Sequence, residues 1–140
     1  MRASEGMDSP NLDSLDAWAF EVRRVEKPWG YELIWALTDL YCGKKLFIRA
    51  GEALSLQFHK VKDEVIYVES GRVEFTMGGP GDAVPHKEVV GPGAAFHVTP
   101  GVVHRMRALE DSFLLEVSTP QLDDVVRLED VYGREGTSAP

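Results

Sequence analysis

The chain has 140 residues, 44% of them hydrophobic and 27% charged, and this length and composition predict a single soluble globular domain. Its 15 basic and 23 acidic residues give a formal net charge of -8, which argues against non-specific binding to nucleic acid or to an anionic membrane. A single cysteine excludes an internal disulfide, and without a long apolar run or a signal-like N-terminus we expect a cytoplasmic protein.

The two ends of the chain differ in composition from the middle. Residues 1–20 are rich in Ser, Asp, Pro and Asn and are predicted to form a flexible leader with one short helical turn near its end. The globular domain is predicted over residues 21–134. Residues 135–140 are turn-formers and are predicted to be a tail.

Between these ends, short apolar-rich runs alternate with turn residues. The predicted strands are residues 31–36, 45–50, 65–69, 72–77, 87–90, 95–98 and 112–118. Ser70 and Gly71 separate two of these runs and predict a hairpin, whereas residues 121–132 are the one stretch expected to hold a short helix. Many short strands with frequent turns are typical of an antiparallel sandwich or barrel.

Three good metal ligands, His59, Glu64 and His104, occur in this β-rich pattern, with Gln57 as a weaker fourth. Gln57 and His59 are two residues apart, so on one strand their side chains leave from the same face. Two imidazoles and a carboxylate suit a divalent first-row metal, and the set therefore predicts a metal pocket. The amide of Gln57 either binds that metal or makes a hydrogen bond inside the barrel.

The spacing around these ligands resembles that of the cupin superfamily. The first cupin motif corresponds to Gly51, Gln57, His59, Glu64 and Gly71, with Gln57 where the commoner form carries a second histidine. Residues 93–104 resemble the second motif, which ends in the third metal-binding histidine. Thr99 and Ala108 depart from that motif only at turn positions. The resemblance implies an all-β fold, the cupin double-stranded β-helix or jelly-roll barrel, with short helical segments at the termini.

Three further segments look like the cupin domain of type II phosphomannose isomerases, namely residues 25–32, 54–59 and 123–134. In the bifunctional members of that family, this domain follows a sugar-nucleotide transferase. The resemblance implies aldose–ketose isomerisation of mannose 6-phosphate or a related sugar phosphate. No transferase segment or phosphate-cradling glycine loop accompanies the motifs, so we expect no guanylyltransferase activity.

The same resemblance suggests roles for individual residues. Gln57, His59, Glu64 and His104 would hold the divalent metal, with zinc expected first and Mn, Fe, Co or Ni as alternatives. Arg127 and Arg134 are the candidates for catalysis and phosphate binding, since a guanidinium donates two hydrogen bonds to a phosphate. The alternative is that these arginines pair with the acidic residues at 123–130.

Lys60, Lys62 and Arg105 flank the metal motifs and are weaker candidates for substrate binding. The sequence assigns no general base. His97 is one possibility, but its position in a strand also allows it to point away from the cavity.

Three functions remain open at this point. They are the isomerase, a cupin metalloenzyme of another class such as an oxygenase, and a non-catalytic cupin that binds a sugar or a metal. The expected partner is a small-molecule sugar phosphate, with no nucleic acid and no membrane. By analogy with small cupins, we also expect a homodimer.

Overall fold

The computed structural model describes residues 14–79 and 84–136. Most of the predicted leader, residues 1–20, and the last part of the predicted tail, residues 135–140, lie outside these ranges. Within the leader, Asp16–Trp18 form a 3₁₀ helix, on which Trp18 remains 66% exposed. None of the helices in the described ranges is long and apolar enough to cross a membrane.

Two antiparallel sheets make up the fold. Across the described ranges the strands are β1 (Arg23–Lys27), β2 (Gly30–Leu37), β3 (Cys42–Ile48), β4 (Leu56–Phe58), β5 (Glu64–Ser70), β6 (Val73–Gly78), β7 (His86–Val90), β8 (Ala95–Val98), β9 (Val103–Ala108), β10 (Ser112–Ser118) and β11 (Val126–Glu129). Sheet A has the order β1-β2-β3-β10-β5-β8, and sheet B has the order β11-β4-β9-β6-β7. The predicted all-β jelly-roll barrel is confirmed.

The helix predicted over residues 121–132 is wrong. Turns occupy the first part of this stretch, and β11 then pairs with β4, with Val126 opposite Phe58 and Arg127 opposite Gln57. Val125 and Val126 are β-branched residues that favour an extended backbone, and the edge of β4 supplies the hydrogen bonds that a helix would otherwise make internally. The helical segment expected at this terminus is therefore replaced by a strand.

The hairpin predicted at Ser70 and Gly71 is also wrong, because the two strands belong to different sheets. β5 pairs with β10 and β8 in sheet A, whereas β6 pairs with β7 and β9 in sheet B. Gly71 has φ +93°, and a Cβ atom there would lie 2.1 Å from Oγ of Ser112. The glycine turn between these two apolar runs therefore connects a strand of one sheet to a strand of the other and does not close a hairpin.

The space between the sheets is apolar at one end of the barrel and polar at the other. The apolar cluster joins residues of sheet A, among them Leu46, Ile66 and Leu114, to Phe75 and Met106 of sheet B. Burial of each such side chain away from water stabilises the fold by about 1.5–3 kcal/mol. This packed layer forms the floor beneath the polar end.

Candidate metal centre

Strand pairing brings three of the predicted site residues side by side in sheet B. Gln57 on β4 is the register partner of His104 on β9 and, on its other side, of Arg127 on β11. Direct cross-strand partners have their side chains on the same face of a sheet. His59 follows the last residue of β4, and Glu64 opens β5 in sheet A, so the candidate ligands bridge the two sheets.

The ligand atoms of His59, Glu64 and His104 converge on one point in the barrel interior. They lie within 4.8 Å of one another, and the three residues are only 1–3% exposed. Nε2 of His59 is 2.8 Å from Oε2 of Glu64, and Nε2 of His104 is 3.1 Å from the same oxygen. The predicted ligands are therefore brought together with the spacing that one shared cation requires.

Hydrogen bonds on the far side of each imidazole orient the rings. Nδ1 of His59 is 2.6 Å from the carbonyl oxygen of Asp124, and Nδ1 of His104 is 3.0 Å from that of Val102. When Nδ1 donates its proton to a carbonyl, the neutral ring presents the lone pair of Nε2 to the cavity. This is the form in which histidine binds a metal.

The donor set fits a divalent cation. Nε2 of His104 is buried and makes no hydrogen bond with any residue that the structure describes, although Glu64 lies near it. Burial alone would raise the pKa of Glu64, but contact with His104, His59 and Lys62 holds it well below its usual value. An imidazole that carries its proton on Nε2 donates to this carboxylate. When both rings instead present their Nε2 lone pairs, the three acceptors need a positive charge between them.

Gln57 lies beside this set but has a partner of its own. Its side chain lines the same cavity, and Oε1 accepts a hydrogen bond of 2.6 Å from the Ser55 hydroxyl. An amide oxygen has two lone pairs, so this bond leaves one for a metal. Metal binding by Gln57 stays a prediction.

The cavity above the candidate ligands is small and highly charged, with a volume of about 50 Å³. That volume holds a few water molecules. Its charged lining consists of Lys27, Lys44, Lys62, Arg127, Glu32, Glu64 and Glu116. Basic side chains outnumber carboxylates in this group, and a bound metal would increase the positive charge further.

Lys62, one of the predicted substrate-binding residues, points into the cavity beside the candidate metal ligands. Its Nζ is 3.0 Å from Oε2 of Glu116 and 3.6 Å from Oε1 of Glu64. Burial would lower the pKa of Lys62, but the two carboxylates raise it above its usual value. The two carboxylates thus favour the ammonium form of Lys62.

Arg127 lines the cavity as well, whereas Arg134 does not. Arg134 donates from Nε to Oδ2 of Asp130 at 2.7 Å and from Nη2 to Oδ1 at 3.1 Å. The sequence left two alternatives for this arginine, phosphate binding or an ion pair with an acidic neighbour. In the structure, Arg134 forms the ion pair. Any role of the two arginines in catalysis remains a prediction.

Lys60 and Arg105 lie outside the cavity lining. Lys60 is exposed in the turn after His59. Arg105 follows His104 on a strand, so its side chain leaves from the opposite face and donates to the carbonyl of Leu54 at 3.2 Å. His97 also points outwards, with Nε2 2.7 Å from Oδ1 of Asp63.

Sequence reasoning missed four charged residues that line the cavity, namely Lys27, Glu32, Lys44 and Glu116. Nζ of Lys44 is 3.2 Å from Oε1 of Glu32, and both side chains are buried. A signal for these residues does exist in the strand alternation. Lys44 has the same parity as Leu46 and Ile48, so its side chain leaves from the core-facing side of β3.

Asp124 holds the loop that carries His59 with both its backbone and its side chain. Its carboxylate accepts hydrogen bonds from the N–H groups of Lys60, Val61 and Lys62 at 3.0, 2.6 and 2.8 Å. Burial would raise the pKa of Asp124, but these three donors lower it further than burial raises it. Together with its carbonyl bond to His59, Asp124 positions a candidate ligand that the sequence places 65 residues away.

Comparison with known proteins agrees with this geometry. Residues 46–117, just over half of the chain, match the family model described as "Cupin domain". The chain is 34% identical over 121 residues to "Xanthan biosynthesis protein XanB" of Xanthomonas campestris pv. campestris, covering 80% of this chain and 24% of that protein. It is 33% identical over 121 residues to "Mannose-1-phosphate guanylyltransferase ManC" of Salmonella typhimurium, covering 80% and 23%. The chain spans about a quarter of the length of these relatives.

Among solved structures, KdgF from Halomonas sp. shares the fold with a TM-score of 0.62 and 24% identity. The match covers 73% of this chain and 89% of that chain. At this level of identity the likeness concerns the fold alone.

We predict that the purified chain binds about one divalent metal ion and that His59→Ala and His104→Ala each remove it, because each deletes one of three converging ligands. Elemental analysis after gel filtration measures the bound metal. His97→Ala, which removes an exposed histidine outside the cavity, is the matched control and should retain the metal. Full metal content in both cavity variants would contradict the assignment.

We also predict that Asp124→Ala lowers metal affinity by roughly 10–100-fold, because the loop that carries His59 loses three hydrogen bonds to a carboxylate. Competition with a chromogenic chelator gives the dissociation constant, and a thermal melt shows whether the variant remains folded. The neighbouring exposed Asp123→Ala should behave as the wild type. An unchanged dissociation constant in folded Asp124→Ala would show that the loop holds His59 without it.

Proposed function

The chain belongs to the cupin family, and we propose that it is a metal-dependent isomerase that converts mannose 6-phosphate or a related aldose phosphate into its ketose. One observation carries the proposal. A candidate metal site built from two histidines and a glutamate shares a single buried cavity with four cationic side chains, Lys27, Lys44, Lys62 and Arg127. Such a cavity suits an anionic substrate whose reaction needs a Lewis acid.

The names of the relatives support a sugar-phosphate substrate. Mannose-1-phosphate guanylyltransferase is named for a phosphorylated mannose, and XanB for the biosynthesis of a polysaccharide. Because the chain covers only about a quarter of each, its own substrate remains a proposal.

Isomerisation of an aldose moves a proton between two adjacent carbons and shifts negative charge onto the neighbouring oxygens. A bound metal would supply Lewis acidity to the carbonyl and hydroxyl oxygens. His59, His104 and Glu64, with Gln57 beside them, are the residues that would hold it. The remaining requirements fall on side chains of the cavity.

Lys62 and Glu116 are placed to meet two of these requirements. The carboxylates of Glu116 and Glu64 favour the ammonium form of Lys62, which would stabilise negative charge that develops on a substrate oxygen. Glu116 is the carboxylate nearest to that ammonium, with Oε2 3.0 Å from Nζ, and it is our candidate to accept the proton from carbon. Both side chains are buried, which keeps them fixed relative to the metal ligands.

The size of the cavity sets a condition on this reaction. A sugar phosphate does not fit in about 50 Å³, so it must extend through the mouth or displace part of the lining. Leu122 and Val125 line the cavity from the segment between β10 and β11. We expect this segment to move when substrate enters, since it is joined to the sheets by short turns and a four-residue edge strand.

We predict that the metal-loaded chain forms fructose 6-phosphate from mannose 6-phosphate, measured in a coupled assay with each candidate metal in turn. Glu116→Gln should lower kcat strongly without loss of bound metal, because it removes the proton acceptor and keeps the shape. Arg107→Gln changes an exposed residue and serves as the control. No product with any metal would reject this substrate. Wild-type kcat in Glu116→Gln would reject only the assignment of the base.

The outward face of sheet A supports the expected homodimer. Strand alternation places Trp35, Val65, Tyr67 and Val117 on this face, and each is at least 37% exposed. Six strands about 4.8 Å apart, several of them seven residues long at about 3.3 Å per residue, span on the order of 600 Å². This approaches the roughly 800 Å² per partner of a standard stable interface, so we propose a second copy of the chain as the occupant.

We predict that the wild type elutes at twice the mass of one chain in light scattering and that Val117→Lys elutes as a monomer, because a charge enters the middle of the apolar contact. Val84→Lys, at an exposed valine outside this face, should leave the mass unchanged. A monomeric wild type would contradict the proposal, as would a dimer that withstands the change at Val117.

A further inference from the structure

Three cationic side chains enter the cavity lining from three separate elements. Lys27 ends β1, Lys44 lies in the middle of β3, and Arg127 is in β11 of the opposite sheet. All three line the cavity, and none of them belongs to the candidate metal ligands. Because their strands are distant in sequence, no local segment accounts for this convergence.

Two of these three cations are almost fully buried, and Lys27 is partly buried. Lys44 is 4% exposed and Arg127 5%, whereas lysine and arginine in most proteins keep their charged ends in water. Bringing a charge into the interior costs free energy unless an opposite charge meets it there.

The opposite charge available to the lysines is small. Glu32 forms a buried ion pair with Lys44. Within residues 14–79 and 84–136, no carboxylate oxygen lies within 4.0 Å of the Lys27 ammonium. Burial lowers the pKa of Lys27, Glu32 opposes that effect, and Lys44, Arg134 and Arg127 lower the pKa further. The single carboxylate of Glu32 thus offsets the charge of two lysines that repel each other.

We propose that Lys27 and Lys44, together with Arg127, form a subsite for the phosphate group of a phosphomonoester. A phosphate carries nearly two negative charges at neutral pH and has three acceptor oxygens, which matches three converging cationic donors. The inference rests on the proposed function, since it assigns the phosphate end of the substrate in the same cavity. The phosphate end of the substrate would then contact residues other than the metal ligands. Two of them, Lys27 and Lys44, are lysines to which the sequence analysis gave no role.

The subsite predicts that the full-length chain binds inorganic phosphate, measured by calorimetry, both with its metal and after the metal is removed by a chelator. Lys27→Met should weaken this binding roughly tenfold or more, because a charged hydrogen-bond donor is lost. Lys45→Met changes a lysine outside the cavity lining, and this variant should bind phosphate as the wild type does.

A second variant changes affinity in the other direction. Glu32→Gln keeps the side-chain shape but removes the carboxylate that competes for Lys44, so phosphate should bind a few-fold more tightly. A purely structural role for the Glu32–Lys44 pair would predict equal or weaker binding. Lys44→Met is not the primary test, because it leaves Glu32 buried without its ion-pair partner and endangers folding.

The outcomes separate this inference from the proposed isomerisation. Phosphate binding that depends on Lys27 supports the subsite even if mannose 6-phosphate is not turned over. Three results overturn it: no saturable binding up to about 10 mM phosphate, binding that Lys27→Met leaves unchanged, or binding that requires the metal. If isomerisation is found and KM is unaffected in Lys27→Met, the subsite fails and the isomerase stands.

Discussion

The contact between one carboxylate oxygen of Glu64 and the two imidazoles is the interaction on which the rest of the site depends. Glu64 comes from sheet A, while His59 and His104 come from the sheet B side, so this contact joins the sheets at their polar end. When Nδ1 of each ring donates to a carbonyl, each Nε2 is left as an acceptor that faces the carboxylate oxygen, which is also an acceptor. Buried acceptors in that arrangement need a shared cation, and the surrounding hydrogen bonds keep them in place for one.

The division of the barrel interior explains why this arrangement is tolerated. At one end, an apolar cluster of both sheets supplies the stability of the fold. At the other end, buried charges such as the Lys44–Glu32 and Lys62–Glu116 pairs replace side chains that would pack more favourably. Proteins commonly accept such a cost at functional sites, and the excess of cations suits the anionic substrate proposed above.

The sequence predicted the barrel and the converging ligands because both leave local marks, namely short strands and ligands at fixed distances from glycines. It failed where one local pattern permits two structures. A glycine turn at Gly71 is compatible with a hairpin or a corner between sheets, and the distant strands with which β5 and β6 pair decide between them. Lys44 and Glu116 escaped notice because a charged residue in a strand is ordinarily assigned to solvent. The long-range pairing of Asp124 with the His59 loop has no sequence pattern at all.

Anomalous diffraction from crystals of the metal-loaded protein tests the central claim most directly. We expect one peak inside the barrel, about 2.0–2.2 Å from Nε2 of His59, Nε2 of His104 and a carboxylate oxygen of Glu64. A metal-loaded protein with no peak at this position, or with the metal bound by the Nδ1 atoms or by surface carboxylates, would contradict it.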